Sequence, residues 1–254
     1  MRNLLLIITA LSIIACESQN QSEREAEQVP PYEMAVETYE KSDPNCRDSI
    51  CTEIRVVLPV LSGGDDSISS ELNQEIQAQY RQMIKSRLPE PQATGTWELL
   101  TDKFIEGYEL FKMEFPDSPT AWYLYLEGDS SVVLGDSVFT LYLQNSEFMG
   151  GAHANYGVHL KSYDLKNGSK IDLPEKYGIH LEELAEKKFR EFHGLNPEED
   201  MNEAGFIFPE GKFILPESMG YTAKGLTLIY NPYEVAPYST GSTVIHISLE
   251  ELNK

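Results

Sequence analysis

The sequence has 254 residues, with 41 Asp and Glu against 20 Lys and Arg, a formal charge of −21 at neutral pH. A surface that negative repels phosphate backbones and anionic lipid, which excludes nucleic acid as a natural partner and favours a basic protein or a cation. The length suffices for one large domain or two small ones with real cores.

The chain opens on a basic Met1-Arg2-Asn3, followed by an apolar run from Leu4 to Ile14 and then Ala15-Cys16. That run is too short to span a bilayer, and with the small residue at its end it reads as a secretory leader, residues 1–15. A cysteine directly after the small residue resembles the lipobox of bacterial lipoproteins, with Ile13 where Leu is usual. The resemblance implies that Cys16 is diacylated and becomes the mature N-terminus. Two or more acyl chains hold a protein stably on a bilayer. Glu17 and the acidic residues after it fit an outer-membrane or surface destination in the cell envelope.

Residues 16–44 are rich in Gln, Glu and Ser and poor in aliphatic clusters. Such a stretch buries too little apolar area to offset its ordering entropy, so it is expected to be a flexible acidic tether. With Cys16 lipidated, Cys46 and Cys51 remain as an even pair in an oxidising compartment, which predicts a disulfide. Its short loop contributes about 2 kcal/mol in the chain-entropy model and pins the entry to the following strand.

Strand structure is expected from Thr52 to Leu61, a β-branched run ending at Ser62-Gly63-Gly64. Ile68, Leu72, Ile76, Tyr80, Ile84 and Leu88 then recur every four residues, one face of a helix capped by Asp65, Asp66 and Ser67 and stopped by Pro89 and Pro91. Phe104, Tyr108, Phe111 and Phe115 mark a second helix, its aromatic stripe expected in the core. From Trp122 the period falls to two, giving strands at 122–126, 131–134, 138–143 and 158–164, with a tight turn at Asn167-Gly168. A third helix is expected from His180 to His193, and the strands return at 226–230 and 242–247. Elements in blocks predict an α+β fold, a largely antiparallel sheet with helices packed on it, in two α/β halves at 45–130 and 131–254.

Gly150-Gly151-Ala152-His153, the Tyr163–Gly168 hairpin and the segment from Tyr221 through Asn231-Pro232-Tyr233-Glu234-Val235-Ala236-Pro237-Tyr238 to Gly241 carry a family resemblance. Together they resemble the extracytoplasmic domain shared by the anti-sigma factor RsiV and the non-catalytic part of the peptidoglycan deacetylase PdaC, over about residues 45 to 250. The resemblance implies a binding module, which in RsiV takes lysozyme. The sequence shows neither the anti-sigma segment of the one nor the metal-binding deacetylase domain of the other.

No nucleophile elbow, Ser-x-x-Lys, HExxH or phosphate loop occurs, and no cofactor is expected. The candidate ligand-binding residues are His153, exposed after two glycines, Tyr233 and Glu234, whose backbone Pro232 and Pro237 fix, and Tyr238 directly after Pro237. Rigid tyrosines suit protein interfaces and sugar stacking, and equally a plain sheet edge. The expectation is therefore a lipid-anchored, non-catalytic envelope protein that binds lysozyme or another basic protein. A peptidoglycan-binding module is the alternative, followed by a metal-assisted hydrolase in which His153, His159 and His246 converge with Asp164 or Glu234.

Overall fold

A computed structural model describes residues 31–46, 51–88, 95–135 and 137–254. The leader, Cys16, the first half of the expected tether and the expected helix stop at Pro89 and Pro91 lie outside the described residues. None of the described helices is long and apolar enough to cross a membrane.

The tether expectation is corrected from residue 31 onward. Strand β1 (Glu33–Ser42) pairs antiparallel with β2 (Glu53–Ser62) in an unbroken ladder from Glu33–Ser62 to Ser42–Glu53. β1 is the edge of its sheet and almost wholly exposed, so its sequence carries no apolar alternation, and its ladder and a few contacts with α2 order it. Tyr32 anchors its start by packing on the core and donating to the Leu165 carbonyl at 3.2 Å, while the Tyr39 ring lies against Trp97 at 6.0 Å. At the other end, Asp43 N–H donates to the Thr52 carbonyl at 2.9 Å, and the predicted Cys46–Cys51 disulfide closes the hairpin.

Helix α1 (Asp66–Lys85) follows, its N-terminus capped by the Asp65 carboxylate, which accepts from the Ser67 and Ile68 amides. Its predicted stripe is the buried one: Ile68, Leu72, Ile76, Tyr80 and Ile84 face the sheet. Helix α2 (Trp97–Glu114) is capped by Thr96. Phe104 is buried, but the stripe leaves the core along the helix: Phe111 packs 4.9 Å from Trp122, and Phe115 is half exposed.

Strand β3 (Tyr123–Val133) lies parallel to β2, the one parallel pair in the sheet, and β4 (Val138–Phe148) and β5 (Asn155–Asp164) continue it antiparallel. The break expected near Gly128 does not occur. A Cβ at Gly128 would stand 1.7 Å from the Tyr80 hydroxyl and 2.5 Å from Pro59, so glycine is there to admit the tyrosine that bonds the Val57 carbonyl.

The second half begins with the short α3 (Leu173–Tyr177) and α4 (Ile179–His193), then a three-stranded antiparallel sheet of β6 (Ser218–Thr222), β7 (Gly225–Tyr230) and β8 (Thr243–Ile247). Leu181, Ala185 and Phe189 of α4 pack on this sheet in a second core, with Phe189 ringed edge-on by Phe206, Phe208 and Tyr230 at 4.9 to 5.4 Å. The fold is α+β as expected, but the halves divide after β5 rather than at residue 130, which falls inside β3. Helix α5 (Leu249–Leu252) closes the chain through a Ser248–Glu251 capping box.

Backbone pairing does not join the two sheets; side chains do. Ser218 accepts from the Leu160 amide and Ser162 from the Tyr221 amide, both at 2.8 Å. Asn231 imitates a strand residue, accepting from the Val158 amide at 2.7 Å and donating to its carbonyl at 2.9 Å. Gly220 permits the approach, since a Cβ there would lie 3.1 to 3.2 Å from Ser162, Leu160 and Thr140.

Two outcomes are expected. Gly128→Ala forces Tyr80 from its site and costs about 1–3 kcal/mol in denaturant unfolding. The Glu251 carboxyl is held down to about 2, first by Lys188 and then by the Ser248 amide and hydroxyl, against an ordinary 4.5. A depressed acid stabilises the fold above its ordinary value and loses that effect as pH falls toward 2. The melting-temperature gap between wild type and Glu251→Gln is therefore complete above about pH 4.5 and closes toward pH 2.

Candidate functional site

A cleft of about 560 Å³ opens where the end of α1, the face of the five-stranded sheet and the turn after β7 meet. Leu124 and Leu126 of β3 give it an apolar floor. Around them stand planar polar groups: Gln82 from α1, Asn145 from β4, Asn155 from β5 and Asn231 from the turn.

Across the cleft, Arg87 and Glu147 form a two-pronged ion pair, with both N–H···O contacts at 2.5 Å. Glu147 is only 8% exposed, so the pair is sheltered, and the carboxylate raises the Arg87 pKa further above its already high value. A third guanidinium nitrogen bonds the Ser86 hydroxyl. His159 projects from β5 and bonds the Asn145 side-chain oxygen through Nε2 at 3.1 Å. Burial, and secondarily Lys161, lower its pKa, so at neutral pH the imidazole is uncharged and its Nε2 is the donor.

The rim is aromatic. Gly150 and Gly151, both at positive φ, turn the chain from β4 back to β5 and deliver His153 to the edge of the cleft. Its ring stacks on Tyr238 with centroids 3.9 Å apart and planes at 21°. Nδ1 lies 2.9 Å from the Ala154 carbonyl, which can only accept, so Nδ1 carries a proton. Nε2 hydrogen-bonds the Tyr233 hydroxyl at 3.1 Å. Tyr156 meets Tyr238 edge-on at 5.7 Å, completing a four-ring group.

Tyr233 is held there by local backbone chemistry. It is 62% exposed and sits at φ 69°, a conformation costly for a residue with a side chain. Glu234 maintains it: its two carboxylate oxygens accept from the Glu217 amide at 3.0 Å and the Asn231 amide at 2.8 Å. Burial pushes the Glu234 pKa up, and the two amide bonds counter it. Of the four expected ligand-binding residues, the structure brings His153, Tyr233 and Tyr238 together. Glu234 belongs to the frame that presents Tyr233, and its carboxylate is spoken for by backbone.

The three histidines do not converge. His153 engages Tyr233, His159 engages Asn145, and His246 bonds Thr227 at 2.9 Å in the second sheet. Among the described residues, no three His, Cys, Asp or Glu are grouped to hold a metal ion. The hydroxyl–imidazole pair at the rim, Tyr233 with His153, has a carbonyl rather than a carboxylate behind the ring, so it lacks the orienting acid of a catalytic relay. The cleft offers ring faces, planar amides and a sheltered ion pair around an apolar floor. Arg87, Asn145, Glu147 and Tyr156 carry no local sequence signal, since 60 residues separate the ion-pair partners. Asn231 did carry one, as the polar residue between the all-buried β7 and Pro232.

Asn231→Ala leaves the Val158 amide and carbonyl unpaired at the sheet junction. The expected loss is about 1–3 kcal/mol in denaturant unfolding, with faster amide exchange at Val158 and Tyr233.

Two family models match adjoining parts of the chain: one described as Deacetylase PdaC over residues 45–156, and one described as a protein of unknown function, DUF3298, over 170–250. The gap between them contains the end of β5, where the two sheets divide. Comparison with curated proteins gives no match. A crystal structure of a DUF3298-family member from Bacteroides fragilis superposes with a TM-score of 0.64 at 16% identity, covering 89% of this chain and 93% of its own. A DUF3298-family protein from Pseudomonas aeruginosa PAO1 gives 0.57 at 20% identity, covering 88% and 93%. At such identities the likeness is one of fold. The chain thus carries a stretch similar to the PdaC model in its first half and one similar to the DUF3298 model in its second, and its fold resembles that of the two DUF3298-family structures.

Proposed function

We propose that this chain is a non-catalytic binding protein of the cell envelope, lipid-anchored through Cys16, whose cleft takes a saccharide of the cell-wall type. The observation that carries this reading is the rim: His153, Tyr156, Tyr233 and Tyr238 form a cluster of partly exposed rings beside a polar cleft. Sugars present apolar C–H faces that pack on rings and hydroxyls that bond planar amides and ion pairs, and Asn145, Asn155, Gln82, Arg87 and Glu147 stand within the same cleft. The rings are fixed before any ligand arrives, which spares the ordering cost of binding.

A basic protein is the second reading, and the observation favouring it is the charge of −21. Such a surface steers a cationic partner at low salt, and a rigid exposed tyrosine such as Tyr233 is a natural interface anchor.

Calorimetric titration of the mature protein separates the two. With soluble peptidoglycan fragments and N-acetylglucosamine oligomers, saturable binding is expected, weakened about tenfold, or about 1.4 kcal/mol, by Tyr238→Ala. Absence of heat with every saccharide, together with salt-sensitive binding of a c-type lysozyme, transfers the function to the second reading.

A further inference from the structure

The cleft does not end at His159. Beyond Gln82, Met83 and His159, which line both spaces, a second depression of about 350 Å³ continues along α1 to Glu75, Gln79 and Lys161. Lys161 follows His159 by two residues on β5, so both side chains leave the same face of the sheet and stand in series along the groove.

Lys161 is half-buried, and burial first of all, then Lys170, lowers its pKa, while Glu75 and Glu217 act in the opposite sense. Neither carboxylate closes on it as an ion pair among the described residues, and Glu75 is engaged by the Gln79 amide at 2.9 Å and approached by the Tyr163 hydroxyl at 3.5 Å. The contrast with Arg87 is informative. One groove cation is held by both carboxylate oxygens of Glu147, whereas the other is in no ion pair among the described residues. A partly desolvated ammonium without a counter-ion is costly, and an arriving anion relieves that cost.

We propose that Lys161 is an anion subsite at the far end of the groove, so that the bound saccharide is an extended, carboxylate-bearing chain rather than a neutral one. This rests on the saccharide reading above. One sugar unit stacks at the His153–Tyr238 rim, the chain passes His159, and a carboxylate of a later unit meets the Lys161 ammonium. Two depressions of about 560 and 350 Å³ that share a wall offer room for several sugar units in series. Two sources supply the same chemistry: the lactyl ether of a muramic acid unit and the C6 carboxylate of a uronic acid unit.

The test uses three tetrasaccharides of comparable length: neutral N-acetylglucosamine tetramer, alternating N-acetylglucosamine–N-acetylmuramic acid, and hyaluronan tetramer. Wild-type protein is expected to bind one of the two acidic chains at least tenfold more tightly than the neutral one, which also identifies the source of the carboxylate. That preference is expected to fall with added salt, to vanish in Lys161→Met and to return in Lys161→Arg. Circular dichroism and a thermal melt check the fold of each variant, and the comparison on wild type alone stands if Lys161→Met fails to fold. Equal binding of neutral and acidic chains by wild type, or a preference that survives Lys161→Met, overturns the Lys161 subsite while leaving the saccharide cleft intact. No binding of any of the three removes the saccharide reading and the subsite with it.

Discussion

An open sheet edge is a row of unpaired amides and carbonyls, and the outer edge of β5 is such a row. Its neighbour in space, β6, belongs to the other sheet, and no backbone ladder joins the two. Ser162, Ser218 and Asn231 do instead, each supplying a side-chain group where a strand would have supplied backbone. Everything else about the molecule's use depends on this substitution. It lets two sheets with separate cores meet as one body.

The cleft lies beside that junction, over the face of the five-stranded sheet, and shares Asn231 with it. Its floor comes from the first half and its rim ring, Tyr238, from the second, with His153 reaching across from the β4–β5 turn. Asn231 has two roles at once. Its side chain stitches the junction, and its backbone amide donates to one arm of the Glu234 carboxylate beside Tyr233, which sits at φ 69°. The residue that joins the halves is thereby the residue that sets the aromatic rim. A cost at one backbone position is carried by bonds on both sides of it.

Much of this was legible in the sequence and some of it could not have been. The four-residue recurrence from Ile68 to Ile84 predicted both α1 and its buried face, because a helix against a sheet must be apolar on one side only. The Cys46–Cys51 pairing followed from an even count at short spacing. β1 was invisible because both its faces meet solvent, so that composition resembling a disordered tether was the composition of an edge strand. β3 looked like two strands because Gly128-Asp129-Ser130 reads locally as a turn; only the Tyr80 side chain, 48 positions away, explains the glycine. At the site, His153, Tyr233 and Tyr238 stood out for their glycine and proline neighbours. Glu234 was misjudged because a carboxylate serving two nearby amides looks, in sequence, like one awaiting a ligand.

The β1–β2 hairpin has a mechanical meaning as well. β1 enters the sheet at Glu33 opposite Ser62, at the open end of the hairpin, and leaves it at Ser42 beside the Cys46–Cys51 bridge. Tension applied from the N-terminal side therefore meets the ladder one rung at a time, peeling rather than shearing it. Once β1 has come away, the load passes through the sulfur–sulfur bond into β2, which is flanked by β3 and covered by α1. Were the chain pulled from that end, the Tyr32 anchor and the β1 ladder would give way before the disulfide-linked β2, and strain would reach the cleft last.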